Sequence, residues 1–186
     1  MNENTQWEKK VDWVKLKVGL NKYQSIMNQF ESIERLIDDS YFQTKYKGFY
    51  RVRRNAAFCE IYFKFMQDNR SNKEITFEET LKHLHTNLDR VEASFASKLI
   101  ATINPYLPVW DKEVLGNINS ELNYTNLKTN DRINLCVDKY EAMKNWYQDK
   151  LNSSIGQEYI AKFDSRFPNT NLTNLKKIDL ILWQTR

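Results

Sequence analysis

Glycine and proline are scarce in this chain, four and three among 186 residues. So few turn-forming residues exclude a sheet-rich fold, which needs a tight turn after every short strand. Long apolar runs are missing as well. None approaches the roughly 20 residues of a membrane-spanning helix, and Met1-Asn2-Glu3-Asn4-Thr5-Gln6-Trp7-Glu8-Lys9-Lys10 has no apolar core of a secretion signal. Cysteine is limited to Cys59 and Cys136, each in an apolar context. Two isolated cysteines make no disulfide framework, and a reducing cytoplasm is the expected compartment. Triplets such as Asn123-Tyr124-Thr125 then read as products of an Asn-rich sequence rather than glycosylation sites. His83 and His85 stand two apart on an expected helix and so on different sides of it. HExxH, CxxC and EF-hand spacings are absent, so no metal is expected; without a Gly-rich phosphate loop, no nucleotide fingerprint or cofactor is implied.

What is present is ordinary for a globular domain: 41% hydrophobic and 28% charged residues. The net charge of +4 permits a polyanionic partner without demanding one. Apolar residues recur at helical spacing. Tyr23, Ile26, Met27, Phe30, Ile33 and Ile37 form one stripe. Phe49, Val52, Ala56, Cys59, Phe63 and Met66 form a second, and Ile133, Cys136, Val137, Tyr140, Met143, Tyr147 and Leu151 a third. Shorter helices are expected near residues 77–86, 90–103, 112–119, 155–166 and 173–184, the last as a docking helix that completes the core. Thr76 is placed to cap one of them after a break at 68–74, and the polar, Asn-rich residues 117–131 read as the longest loop. The expected fold is all-α, a compact multi-helix domain covering residues 1–186. A two-lobed variant would put residues 49–119 in one lobe and both terminal segments in the other.

The most informative stretch is Ser94-Phe95-Ala96-Ser97-Lys98, followed by Asn104-Pro105-Tyr106-Leu107-Pro108-Val109-Trp110-Asp111-Lys112-Glu113-Val114. Two prolines end the helix carrying Lys98 and stiffen the loop before Asp111. Residues 87–98 allow two local readings. Asp89 caps a helix that runs unbroken to Ile103, with Glu92 reaching back to it; or the chain turns at residues 93–96 and the helix begins at Ser97. Asp111 is a good N-cap for the helix after it whether or not it has any chemistry, and Lys98 could equally be a surface lysine.

These residues resemble the helix-hairpin-helix DNA glycosylases, in particular their 8-oxoguanine-excising branch. That family carries a small-apolar-small-(Ser/Thr)-Lys hairpin and, shortly after, a Pro-Val-Asp-x-x-Val segment. Ser94 and Ala96 stand where the family places hairpin glycines, and Trp110 is an extra residue between the valine and the aspartate. The resemblance implies an all-α fold with a hairpin that holds a DNA phosphate through backbone N–H groups. It also implies Asp111 stabilising the cation that develops on the sugar and Lys98 as a Schiff-base nucleophile. An extruded base would need aromatic walls, for which Trp110, Tyr106 and Phe95 are the nearby candidates.

Residues 41–54 hold five basic residues and no acid. On one continuous helix Lys47, Arg51 and Arg54 would share a face able to contact the DNA backbone; alternatively the segment is a solvated basic face whose rings point into the core. Asp38 and Asp39 are close enough in sequence to engage these arginines. The expected function is therefore DNA binding with base-excision glycosylase/lyase chemistry. Its rival is a non-catalytic helical interaction module.

Overall fold

The computed structural model describes residues 11–117 and 128–184. Within them the chain forms eight helices of eleven or more residues, one short helix and no strand. No described helix is long and apolar enough to cross a membrane. The expected loop at 117–131 falls largely outside the described residues.

Helix α1, Trp13–Ser32, starts where the Asp12 carboxylate accepts from the Lys15 N–H, and buries Leu16, Leu20, Tyr23, Ile26 and Phe30 along one stripe. It stops short of the expected Ile37. The Arg70 guanidinium donates to the carbonyl oxygens of Phe30 and Ile33, and the Gln67 side-chain oxygen accepts from the Leu36 N–H at 2.6 Å. Those long-range bonds replace the intrahelical ones that residues 33–37 would have made. Asp39 then caps α2, Ser40–Tyr50, through the Phe42 N–H, while Asp38 pairs with Arg35 rather than with the basic segment.

The second stripe is two helices, not one. Helix α2 ends at Arg51, which adopts the left-handed conformation (φ 55°), and the Val52 N–H donates back to the Lys47 carbonyl oxygen at 2.9 Å. This is a Schellman-type stop made without glycine. Residues 52–55 lie outside any helix, and Asn55, with an extended backbone, caps α3, Ala56–Asp68. The break moves Arg51 and Arg54 off the helical face they were expected to share with Lys47.

Thr76 and Glu79 form a complete capping box at the start of α4, Phe77–Leu88. Asp89 ends α4 in the left-handed region (φ 51°) instead of starting a helix, and α5, Ala93–Ile103, begins after Glu92. Both local readings of residues 87–98 are thus corrected. The turn lies at 89–92, four residues earlier than the hairpin reading placed it, and the helix starts later than the capping reading did. Helices α4 and α5 pack together as a helical hairpin.

Helices α6 (Lys112–Asn117), α7 (Thr129–Asn152), α8 (Ser154–Arg166) and α9 (Asn174–Gln184) complete the fold. Two helices are buried nearly all round. Residues 95–103 of α5 and 175–182 of α9 are all buried, and α9 packs on α1, α6, α7 and α8. Buried tyrosines tie the layers together. The Tyr46 and Tyr62 hydroxyls share a hydrogen bond at 2.9 Å, and Tyr62 donates to the Phe95 carbonyl oxygen. Cys59 and Cys136 are buried free thiols.

Candidate functional site

Lys98 sits at the middle of α5, 6% exposed. Its ammonium donates to the Ser94 hydroxyl at 2.9 Å, one turn earlier, and lies 5.3 Å from the centre of the Phe95 ring. Asp111 comes to it across the proline loop, with Nζ to Oδ2 at 3.9 Å. That separation gives electrostatic attraction but is too long for a hydrogen bond. Burial pulls the Lys98 pKa below the ordinary lysine value; Asp111 opposes this and the nearby Arg51 charge adds to it.

The loop between them is fixed from several sides. The Trp110 N–H donates to the Ser97 hydroxyl at 2.9 Å, and Ser97 itself donates to the Ser94 carbonyl oxygen. Tyr140 on α7 donates to the Pro108 carbonyl oxygen at 2.9 Å, and Thr173 to that of Pro105 at 2.8 Å. Asn104 reaches the Lys73 carbonyl oxygen at 3.0 Å.

Lys98 and Asp111 line one cavity of about 30 Å³, which accommodates on the order of two water-sized groups. Its remaining walls come from distant parts of the chain: Tyr23 of α1, Phe49 and Tyr50 of α2, Arg51 at the α2 stop, and Lys176, Asp179 and Trp183 of α9. Lys176 and Asp179 form a buried ion pair, Nζ to Oδ2 at 2.8 Å, 2% and 9% exposed. Tyr147 donates to the other Asp179 oxygen at 2.9 Å, and the Lys176 ammonium lies 5.1 Å from the Tyr23 ring centre. Burial alone would lower the Lys176 pKa, but the Asp179 carboxylate and the surrounding phenols together hold it above the ordinary value.

The rings expected around the base do not line this cavity. Residues 108–111 lie between α5 and α6, outside any helix. Val109 and Asp111 face the cavity, while Trp110 stacks on Phe77, which stacks in turn on Tyr140. Tyr106 is 74% exposed. Phe95 packs edge-on against Phe58 and under the Arg54 guanidinium. Of the expected backbone contacts, only Arg51 reaches the cavity. Arg54 forms a forked pair with Glu92, at 3.0 and 3.2 Å, and Lys47 stays half-buried on α2. Arg53, Arg54 and Arg90 instead border a wide groove of about 910 Å³ beside the α4–α5 turn.

His83 stacks on Phe65 at 3.9 Å, and among the described residues no three His, Cys, Asp or Glu side chains gather as a metal site. The far cavity walls had one sequence signal, a lysine and an aspartate three apart within the apolar closing helix. Such a pair survives burial only by meeting. Comparison with family models, curated proteins and solved structures finds no match to this chain.

Proposed function

We propose that Lys98 and Asp111 form an amine–carboxylate centre acting on the sugar carbon of a damaged or abasic site in DNA, as the resemblance to helix-hairpin-helix glycosylases implies. The observation that carries this reading is their approach to 3.9 Å on the wall of one aromatic-lined cavity. A buried amine with a lowered pKa presents its lone pair at neutral pH more readily than a surface lysine. It attacks the C1′ aldehyde of the ring-opened sugar, and loss of water leaves an iminium ion that the Asp111 carboxylate stabilises. The cavity volume of about 30 Å³ suits that aldehyde better than an intact nucleobase, which favours lyase chemistry over base release. The link at 51–55 carries Arg51 to the cavity and Arg53 to the groove, two cations able to contact a phosphate backbone.

A second reading has its own observation. The hydrogen bond to Ser94 and the Phe95 ring already satisfy Lys98, which suits a non-catalytic helical interaction module. Borohydride trapping separates the two. Wild-type protein on duplexes with an abasic site or 8-oxoguanine gives a covalent adduct that Lys98→Gln abolishes and Asp111→Asn weakens. No adduct on either duplex rejects the catalytic reading. With two phosphates neutralised, log affinity falls against log salt with a slope of about −2; a flat salt titration rejects DNA as the ligand.

A further inference from the structure

Helices α1 and α2 concentrate the positive charge of the chain. Residues 13–30 and 40–55 hold eight basic residues and no acidic one, which leaves the rest of the chain with 24 acidic and 20 basic residues. The two helices pack antiparallel, with the Tyr23 and Phe49 ring centres 6.2 Å apart and those of Phe30 and Phe42 at 6.5 Å. The N-terminal half of α1 therefore lies beside the C-terminal half of α2 and the link that follows it. Lys17, Lys22, Lys47, Arg51 and Arg53 gather at that end of the pair, while Glu31, Glu34, Asp38 and Asp39 lie at the other. Lys15 and Arg54 are paired, with Asp12 and Glu92. Lys45 rests on neutral groups, the Ser25 hydroxyl at 3.4 Å and the Tyr41 ring at 4.2 Å. Lys17 and Lys22 are exposed and Lys47 half-buried, and among the described residues none of the three has an ion-pair partner.

We propose that this end of the α1–α2 pair binds the phosphate backbone of a nucleic-acid duplex, away from any damaged site. The inference extends the DNA reading given above: it rests on the same partner and needs none of the Lys98 chemistry. Charge complementarity selects a polyanion, and two observations select a duplex among polyanions. Single strands are held by exposed rings on which bases stack. Here Phe42, Tyr46, Phe49 and Tyr50 are all buried, and Tyr41, which is exposed, has Lys45 over its ring. An anionic membrane is held by an apolar helix face that enters the lipid. Helix α1 buries Leu16, Leu20, Tyr23, Ile26 and Phe30 in the core, and only Val14 and Val18 are left on its outer side. Lysines meet phosphates as point charges on flexible stems, which suits a regular backbone and reads no sequence. Arg51 belongs both to this basic end and to the edge of the Lys98 cavity, so a backbone bound here leads to the candidate site.

The test is a salt titration of the full chain on an undamaged DNA duplex, beside a single strand of the same sequence and phosphatidylserine vesicles. Five cations on phosphates give log affinity a slope against log salt of about −4 to −5. Lys17→Gln, Lys22→Gln and Lys47→Gln together return the slope to about −2, the share of Arg51 and Arg53. Lys64→Gln, Lys82→Gln and Lys144→Gln remove the same charge from α3, α4 and α7, where each lysine already pairs with a carboxylate, and leave the slope steep. A wild-type slope of about −2, or an equal loss in the two triple variants, overturns the inference and leaves the contacts of Arg51 and Arg53 standing. Tighter binding to the single strand, or binding to the vesicles and not to the duplex, overturns it in favour of that partner. A flat titration overturns it together with DNA as the ligand. Steep duplex binding without a trapped adduct on an abasic duplex supports it and rejects only the lyase chemistry.

Discussion

Replacing Asp179 by Asn tests the buried end of the cavity. The amide keeps the size of the side chain and still accepts from Tyr147, whose hydroxyl donates to Asp179 at 2.9 Å. What it removes is the negative charge 2.8 Å from the Lys176 ammonium, a group only 2% exposed. An uncompensated buried charge costs about 3–5 kcal/mol. For a chain of this length each kcal/mol moves Tm by about 2–4 °C, so the expected fall is about 6–20 °C. The wild-type pair is a different quantity, because desolvation of both charges offsets most of their attraction. Lys176→Met with Asp179→Leu therefore recovers much of the loss. It leaves the Tyr147 hydroxyl orphaned at about 1–3 kcal/mol, and adding Tyr147→Phe returns stability close to wild type. Urea unfolding of the single, double and triple variants at pH 7 closes the cycle. If Asp179→Asn costs less than about 1 kcal/mol, Lys176 finds water or another partner, and the sealed α9 wall is not as described.

Three further outcomes follow from the geometry. Lys98 has its pKa lowered in the folded state, so the unfolded chain binds the extra proton between that lowered value and about 10.4, and wild-type stability gains with rising pH in this window. Lys98→Met is accordingly more stable than wild type at pH 7, by a margin that shrinks toward pH 10; urea midpoints with a constant difference would refute this. A Cβ on Gly156 would lie 1.8 Å from the Lys150 carbonyl oxygen, so Gly156→Ala forces α7 and α8 apart and costs about 2 kcal/mol or more, measured as a lowered urea midpoint. Arg51→Gly relieves a left-handed residue (φ 55°) and raises stability by up to about 1 kcal/mol, the strain relieved less the added unfolded-state entropy. A drop in Tm would show that the arginine side chain contributes more to the fold than its backbone costs.

The helical class was legible because periodic apolar residues and capping chemistry are local. Thr76 announced a helix start that the structure contains to the residue, and the structure adds Glu79 as its capping-box partner. Helix ends were harder. Arg51 and Asp89 occupy left-handed positions where glycine would have marked the stop, and the end of α1 is set by Arg70 from far along the chain. The meeting of Lys98 with Asp111 could be read because a short, proline-stiffened loop joins them. The other walls could not, since Tyr23, Tyr50 and Trp183 arrive through packing of α1, α2 and α9. Trp110 went astray for another reason: its ring is taken up by stacking on Phe77, while its neighbours Val109 and Asp111 line the cavity.

The bonds that fix the 104–111 loop carry a consequence for dynamics. Partners on α5, α7, the turn before α4 and the approach to α9 hold it, so no single element can fray and release it. Hydrogen exchange at the Trp110 amide should then occur only when the whole molecule opens, as for core amides. Heating would leave the amine and the carboxylate facing each other until the cooperative melt and scatter them within it.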